Sequence, residues 1–378
     1  LGAEFIHGEQ PATFDALRRT GLAAVDSPRA RWYARDGRLE QMGNIRNEVR
    51  RAMRVTPVLE KRDMPFQQFL AGKRGLSTFI RAFARRMVEG YDAADPGRVS
   101  AREIAVEWTG ESATEMPQFR PHGGYGALMD RMLVLAGARA RPRLETVVHA
   151  VRWRRGRVEV EGETRGRPFR AAARRAIVTL PAGVLRRRPG QPGAVRFDPA
   201  LPDKERALGH IEAGAVLRVV MQFPVAFWET LDDGRYRNAS FFHSPYSAFP
   251  TVWTALPERA PLLVAWAGGP RAVSLSGAAA GDIVRRAVMS VDSLFGGRAG
   301  KAALPVASWV HNWLRDPYAH GAYSYVTVGG RGARRKLAAP VAGTLYFAGE
   351  ATDEAEAGTV AGALRSGQRA AREIIRNG

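Results

Sequence analysis

Cysteine is absent from all 378 residues. No disulfide can form and no thiol can ligate a metal. The few histidines show no metal-ligand spacing, so no metal site is expected. Long apolar runs are missing too: none approaches the roughly twenty residues that a membrane-spanning helix needs. No basic stretch followed by an apolar one opens the sequence, so no signal peptide is visible and a cytoplasmic location is expected. Lysine is scarce, occurring only at Lys61, Lys73, Lys204, Lys301 and Lys336. No GxGxxG turn is present. The nearest glycine clusters, Gly123-Gly124-Tyr125-Gly126 and Gly329-Gly330-Arg331-Gly332, have other spacings.

What is abundant is arginine. The formal net charge is +20, a balance that invites a nucleic-acid partner. The cations are spread among alanine and glycine, however, and the run from Arg152 to Arg157 falls in an alternating hairpin that leaves arginine on its wet face. No nucleic-acid partner is expected. The length suits two domains with substantial cores. Helical patterns occupy 12–19, 45–54, 66–71, 77–89, 100–108 and 278–294, with a hairpin turning at Asp36-Gly37. Strands dominate 144–180 and recur at 216–223, 251–255 and 262–267.

The most informative stretch is LYFAGEATDEAEAGTVAGALRSGQRAAREI, residues 345–374. A short apolar strand runs into Gly349 and Glu350. Gly358 and Thr359 then open a helix whose Val360, Leu364, Gly367, Ala371, Ile374 and Ile375 fall on one side and whose arginines fall on the other. A helix head offers unpaired N–H groups and partial positive charge, suited to an anionic or electron-accepting ligand. A terminal helix merely docked on a sheet would carry the same pattern.

FAGEAT followed by GTVAGALRSGQRAA resembles the closing motif of the flavin-containing amine oxidases, the family of monoamine, polyamine and spermine oxidases and lysine-specific histone demethylases. Further resemblances follow in order: LGAEFIHG, PHGGYGALMDRM, the valine of VVHAV, AIVTLPAGVL, GAVLRVVMQFPVAFW and WLRDPYAHGAYSY. The resemblance implies non-covalent FAD, since no cysteine is available for a thioether link. Glu350 would meet the ribityl chain and the backbone of Gly358, Thr359 and Val360 the flavin edge. Gly2, Ala3 and Gly349 would give close approach, Val148 would meet the adenine, and Trp313 and Tyr323 would border the ring. His7 would stand at the substrate tunnel. The implied reaction oxidises a small-molecule amine to an imine, with hydride transfer to flavin N5 and reoxidation by O2 giving H2O2.

Three departures carry expectations of their own. The missing GxGxxG suggests an α/β (α+β mixed) two-domain fold whose discontinuous Rossmann-like FAD domain (1–8, 118–198 and 330–378) lacks its N-terminal βαβ unit. A sheet-and-helix substrate domain (9–117 and 199–329) would complete it. A chain truncated in that way would bind FAD weakly. Arg218 stands where the family usually has a lysine beside flavin N5, which puts oxidase against dehydrogenase behaviour in question. Thr359 stands where monoamine oxidases place a second tyrosine, leaving Tyr323 as half an aromatic cage. The alternatives are a non-catalytic relative and a flavoenzyme acting on CH–CH bonds, of the protoporphyrinogen oxidase or desaturase kind. The oligomeric state is left open.

Overall fold

The computed structural model describes residues 2–35, 38–41, 49, 57–109 and 117–376. The hairpin tip at Asp36-Gly37 and the helix expected over 45–54 lie outside the described residues, apart from Val49 in the latter. Two compact units are interleaved along the chain. The first comprises Leu1–Glu9, Ala24–Pro121 and Gly214–Leu314; the second Gln10–Ala23, His122–Ala213 and Arg315–Gly378.

The chain opens with a strand, Ile6–His7, a helix, Pro11–Thr20, and a strand, Ala24–Asp26. Both strands pair antiparallel with Gln118–Pro121, in the order first, Gln118–Pro121, second, so they run parallel to each other. The expectation of a fold lacking its N-terminal βαβ unit is therefore corrected. Chain reversal here does not use a glycine fingerprint. Gly8 takes a positive φ of 77°, Pro11 presets the first helical turn, and Gly21 closes the helix in the left-handed region.

The first unit is built on a seven-stranded sheet. Its order is Ala307–Asn312, Val216–Gln222, Leu262–Gly268, Thr251–Thr254, Ala239–His243, Ala30–Arg35 and Arg38–Gln41. Alternation sends Leu217, Val219 and Met221 to one face, where Phe242, Val252, Leu263 and Ala265 join them against Ile283, Ala287 and Val291 of the helix Ala280–Leu294. The opposite face carries a row fixed by the register: His311, Arg218, Trp266, Thr251, His243 and Tyr33. One face is thus a sealed apolar core, and the other sets this polar and aromatic row beside a smaller apolar cluster of Phe241, Trp253 and Val264.

The second unit holds a four-stranded sheet, Arg196–Asp198, Thr146–Arg154, Arg157–Thr164 and Arg167–Ala173, and a parallel pair, Ala176–Val178 with Leu345–Phe347. The C-terminal helix Val360–Arg376 buries Ala361, Gly362, Ser366 and Ala370. Ile375, assigned to the inner side by sequence periodicity, is 78% exposed. The small residues win because the helix lies so close to its neighbours that larger side chains are driven to the flanks. Arg369, assigned outward, turns in and donates to the carbonyls of Phe347 and Ala338.

Lys204 is buried with its ammonium on the carbonyls of Lys336, Leu337 and Ala339, at the C-terminus of the helix Ala333–Ala338, and over the Phe347 ring. Burial pushes it down to about 8. Between that value and the ordinary lysine pKa the unfolded chain holds a proton the folded chain has released, so stability rises with pH across the window. Lys204→Met should cost about 1–3 kcal/mol by orphaning the three carbonyls. It should also abolish this rise: melting curves of the two proteins across the window should diverge as pH increases. Parallel curves would refute the assignment.

Candidate functional site

In the second unit the strand Leu345–Phe347 ends at Gly349, whose φ of 127° and ψ of 164° are open only to glycine. That turn presents Glu350. Its Oε2 accepts from Ser324 Oγ at 2.8 Å, Gly358 N at 2.9 Å and Ser324 N at 3.4 Å. All contacts from described residues fall on this one oxygen, which leaves Oε1 for a ligand hydroxyl. Thr359 caps the helix: its hydroxyl accepts from Gly362 N at 3.0 Å and donates to Glu356 O at 2.7 Å. Val360 is the first helical residue, so its N–H has no intrahelical partner. The Tyr323 ring packs on Gly358, where an added Cβ would stand 3.5 Å from Tyr323 Cβ and Cδ2.

The structure therefore brings Gly349, Glu350, Gly358, Thr359, Val360 and Tyr323 together. Val148 lies in the same unit at a β-bulge opposite Gly162, half-buried beside Val151, Val178 and Phe347. Ser324, inside the string WLRDPYAHGAYSY but not singled out there, and Arg334, outside every recognised string, also belong to the group. Arg334 Nη1 donates to Ser324 Oγ at 2.6 Å.

In the first unit Arg218 is 4% exposed. Its Nη1 donates to Gly2 O at 2.7 Å, and its Nη2 pairs with Glu4 Oε1. Glu4 Oε2 accepts from Arg120 Nη1 at 2.9 Å and from the Trp253 indole at 2.8 Å. Two guanidiniums thus bracket one carboxylate. Burial lowers the Arg120 pKa, Glu4 opposing the shift and Arg218 adding to it. Gly2 and Ala3 are exposed, and the segment they open is tethered by Arg218. His7 packs edge-on against Tyr91, with centroids 5.4 Å apart. Trp313 follows the strand Ala307–Asn312, its ring 4.2 Å from His311, the residue that faces Arg218 across the ladder.

The donor set suits a flavin. A carboxylate anchored through one oxygen, a helix head and a tyrosine on a glycine shelf match a hydroxyl chain joined to a flat, electron-accepting ring. Among the described residues no cluster of His, Cys, Asp and Glu could hold a metal, and no helix is long and apolar enough to cross a membrane.

Comparisons with known proteins give the family and the fold. The family model for flavin containing amine oxidoreductases matches residues 1–375. Together with the strand–helix–strand opening, that match overturns the reading of a relative missing its N-terminal unit, and with it the ground for expecting impaired FAD binding. The chain is 35% identical to lysine-specific histone demethylase 1 homolog 3 of Arabidopsis thaliana over 209 residues, 53% of this chain and 12% of that protein. It is 31% identical to human lysine-specific histone demethylase 2 over 212 residues, 54% of this chain and 24% of that one. Those matches cover a quarter or less of either relative's length. The fold is shared with putrescine oxidase bound to putrescine (TM-score 0.81, 20% identity, 99% of this chain and 88% of that one). It is also shared with cyclohexylamine oxidase from Brevibacterium oxydans (TM-score 0.78, 18% identity, 99% and 87%). On the match along nearly its whole length, this chain belongs to the flavin containing amine oxidoreductase family.

Proposed function

We propose that the chain is an FAD-dependent amine oxidase acting on a small amine. The observation that carries the reading is Glu350, anchored through Oε2 alone beside the head of the helix Val360–Arg376. Bound FAD would supply the redox chemistry, taking a hydride from the carbon bearing the amine and returning electrons to O2. The second unit would hold it: Glu350 accepting from a ribityl hydroxyl, the Thr359–Val360 backbone facing the electron-rich edge, Val148 meeting the adenine, and Tyr323 beside the ring. The resemblance assigns roles to Gly2, Ala3, Trp313, Arg218 and His7 as well, and these residues all belong to the first unit.

The surroundings also bear on the substrate. Of the carboxylates that could suit a polycation, Glu4, Asp232, Asp353, Glu354 and Glu356 are already engaged. Glu4 lies between two arginines, Asp232 binds Arg298 and Tyr236, Asp353 caps two N–H groups, and Glu354 pairs with Arg335. Glu356 accepts from Gln10, and burial raises its pKa. With those carboxylates engaged, a single amine is a better candidate substrate than a polyamine or a basic peptide. The polar row His311, Arg218, Thr251 and His243 disfavours a wide apolar cavity for CH–CH oxidation.

An absorption spectrum of the purified protein tests the cofactor, and anaerobic bleaching by arylalkyl, alicyclic and polyamine substrates tests the class. Flavin bands bleached by the monoamines, with peroxide on readmission of air, are the expected result. A protein that stays colourless after incubation with FAD would overturn the proposal. Bleaching by polyamines alone would overturn the substrate class.

A further inference from the structure

Resting on the flavin reading above, we propose that Arg334 is a positioning residue that acts on the cofactor through Ser324 and Glu350. Arg334 and Ser324 are 8% and 6% exposed. Arg334 Nη1 donates to Ser324 Oγ at 2.6 Å and Nη2 to Ser324 O at 2.9 Å, while Nη1 also reaches Ala351 O at 3.4 Å. A guanidinium has no acceptor, so the serine hydroxyl must accept from Arg334 and direct its own proton to Glu350 Oε2, 2.8 Å away. The hydrogen bonds therefore run one way, from cation through hydroxyl to carboxylate. A hydroxyl that accepts from a cation is polarised into a better donor, so the charge of Arg334 reaches Glu350 without contact.

The serine spacer has a geometric purpose. A direct Arg–carboxylate pair is commonly bidentate and takes both oxygens. Here Ser324 and Gly358 N draw on Oε2 only, which fixes the carboxylate through one oxygen and keeps Oε1 out of the relay. Arg334 also grips the main chain on both sides of the site, at Ser324 O and Ala351 O. Loss of either Arg334 or Ser324 frees the same carboxylate to rotate, so their effects on the cofactor should not add.

The test is a flavin-fluorescence titration of apoprotein with FAD for wild type, Ser324→Ala, Arg334→Met and the double variant, with apoprotein melting curves alongside. Each single change should weaken FAD about tenfold, and the double should be no weaker than the worse single. Ser324→Thr keeps the hydroxyl and should bind as wild type does. FAD analogues lacking the ribityl hydroxyl that meets Glu350 should bind wild type and variants alike. Unchanged affinity, additive losses, or losses that merely track a fall in apoprotein stability would overturn the relay. If Arg334→Met does not fold, the Ser324→Ala and Ser324→Thr pair decides between relay and no relay by the same affinities. Wild-type protein that binds no FAD would overturn the flavin reading itself, and the relay with it.

Discussion

Gly362→Ala should cost more than about 4 kcal/mol, the range reserved for changes the backbone cannot absorb. An added Cβ would stand 2.0 Å from Glu356 O, 2.8 Å from its carbonyl carbon and 3.3 Å from Asp353 Cβ. The two nearest are main-chain atoms in the turn before the helix, not the ends of flexible side chains. Glu356 O is itself bonded by the Thr359 hydroxyl, and that hydroxyl takes the Gly362 N–H. Any shift that makes room therefore dismantles the cap and displaces Gly358 and Glu350. Gly367→Ala, in the same helix, is the control. Nothing lies within 4 Å of its Cβ position, so it should gain about 0.5–1 kcal/mol from helix propensity. Denaturant unfolding of the two variants should move in opposite directions. A Gly362→Ala protein as stable as its parent would show that the turn does not pack this tightly.

The second large effect is expected at Glu4. Its carboxylate lies between Arg218 and Arg120 and takes the Trp253 indole proton. Glu4→Leu would leave two largely buried guanidiniums facing each other, a loss of about 3–5 kcal/mol. Arg218→Met should be milder, because Glu4 retains Arg120 and Trp253. The two changes together should be less harmful than Glu4→Leu alone, since only one cation is then left without its carboxylate. Melting temperatures of the three variants give the ordering. A larger loss for Arg218→Met than for Glu4→Leu would show that Arg218, not Glu4, is the keystone of the cluster.

Much of the architecture is legible where local signals are strong. The helices Phe66–Gly72, Thr78–Gly90 and Ala101–Thr109 fall within one or two residues of their apolar periodicity, and the hairpin Thr146–Thr164 follows its alternation. The strand–helix–strand opening escapes because its strands have two and three residues, too few for any period to register. A search for one glycine fingerprint also misses a turn made by Gly8 and Pro11. The C-terminal helix is visible in the sequence, but its periodicity does not single out the buried Ala361, Gly362, Ser366 and Ala370, because hydrophobicity measures appetite for burial while close approach is set by size. Glu350, Gly358 and Tyr323 can be singled out because they sit in recognisable strings. Arg334 cannot, and Ser324, though it follows Tyr323 in the same string, is not marked out: their hydrogen bonds join residues that no spacing rule relates.

The two-faced sheet of the first unit has a consequence for redesign. Along Val216–Gln222 and its neighbours, residues of the core alternate with residues of the opposite face. His311, Trp266, Thr251 and His243 can therefore be randomised together in a combinatorial library without placing a single altered side chain among Leu217, Val219, Phe242 and Ala265. The two faces are written in alternate letters of the same strands, so variants can explore one while the other stays fixed.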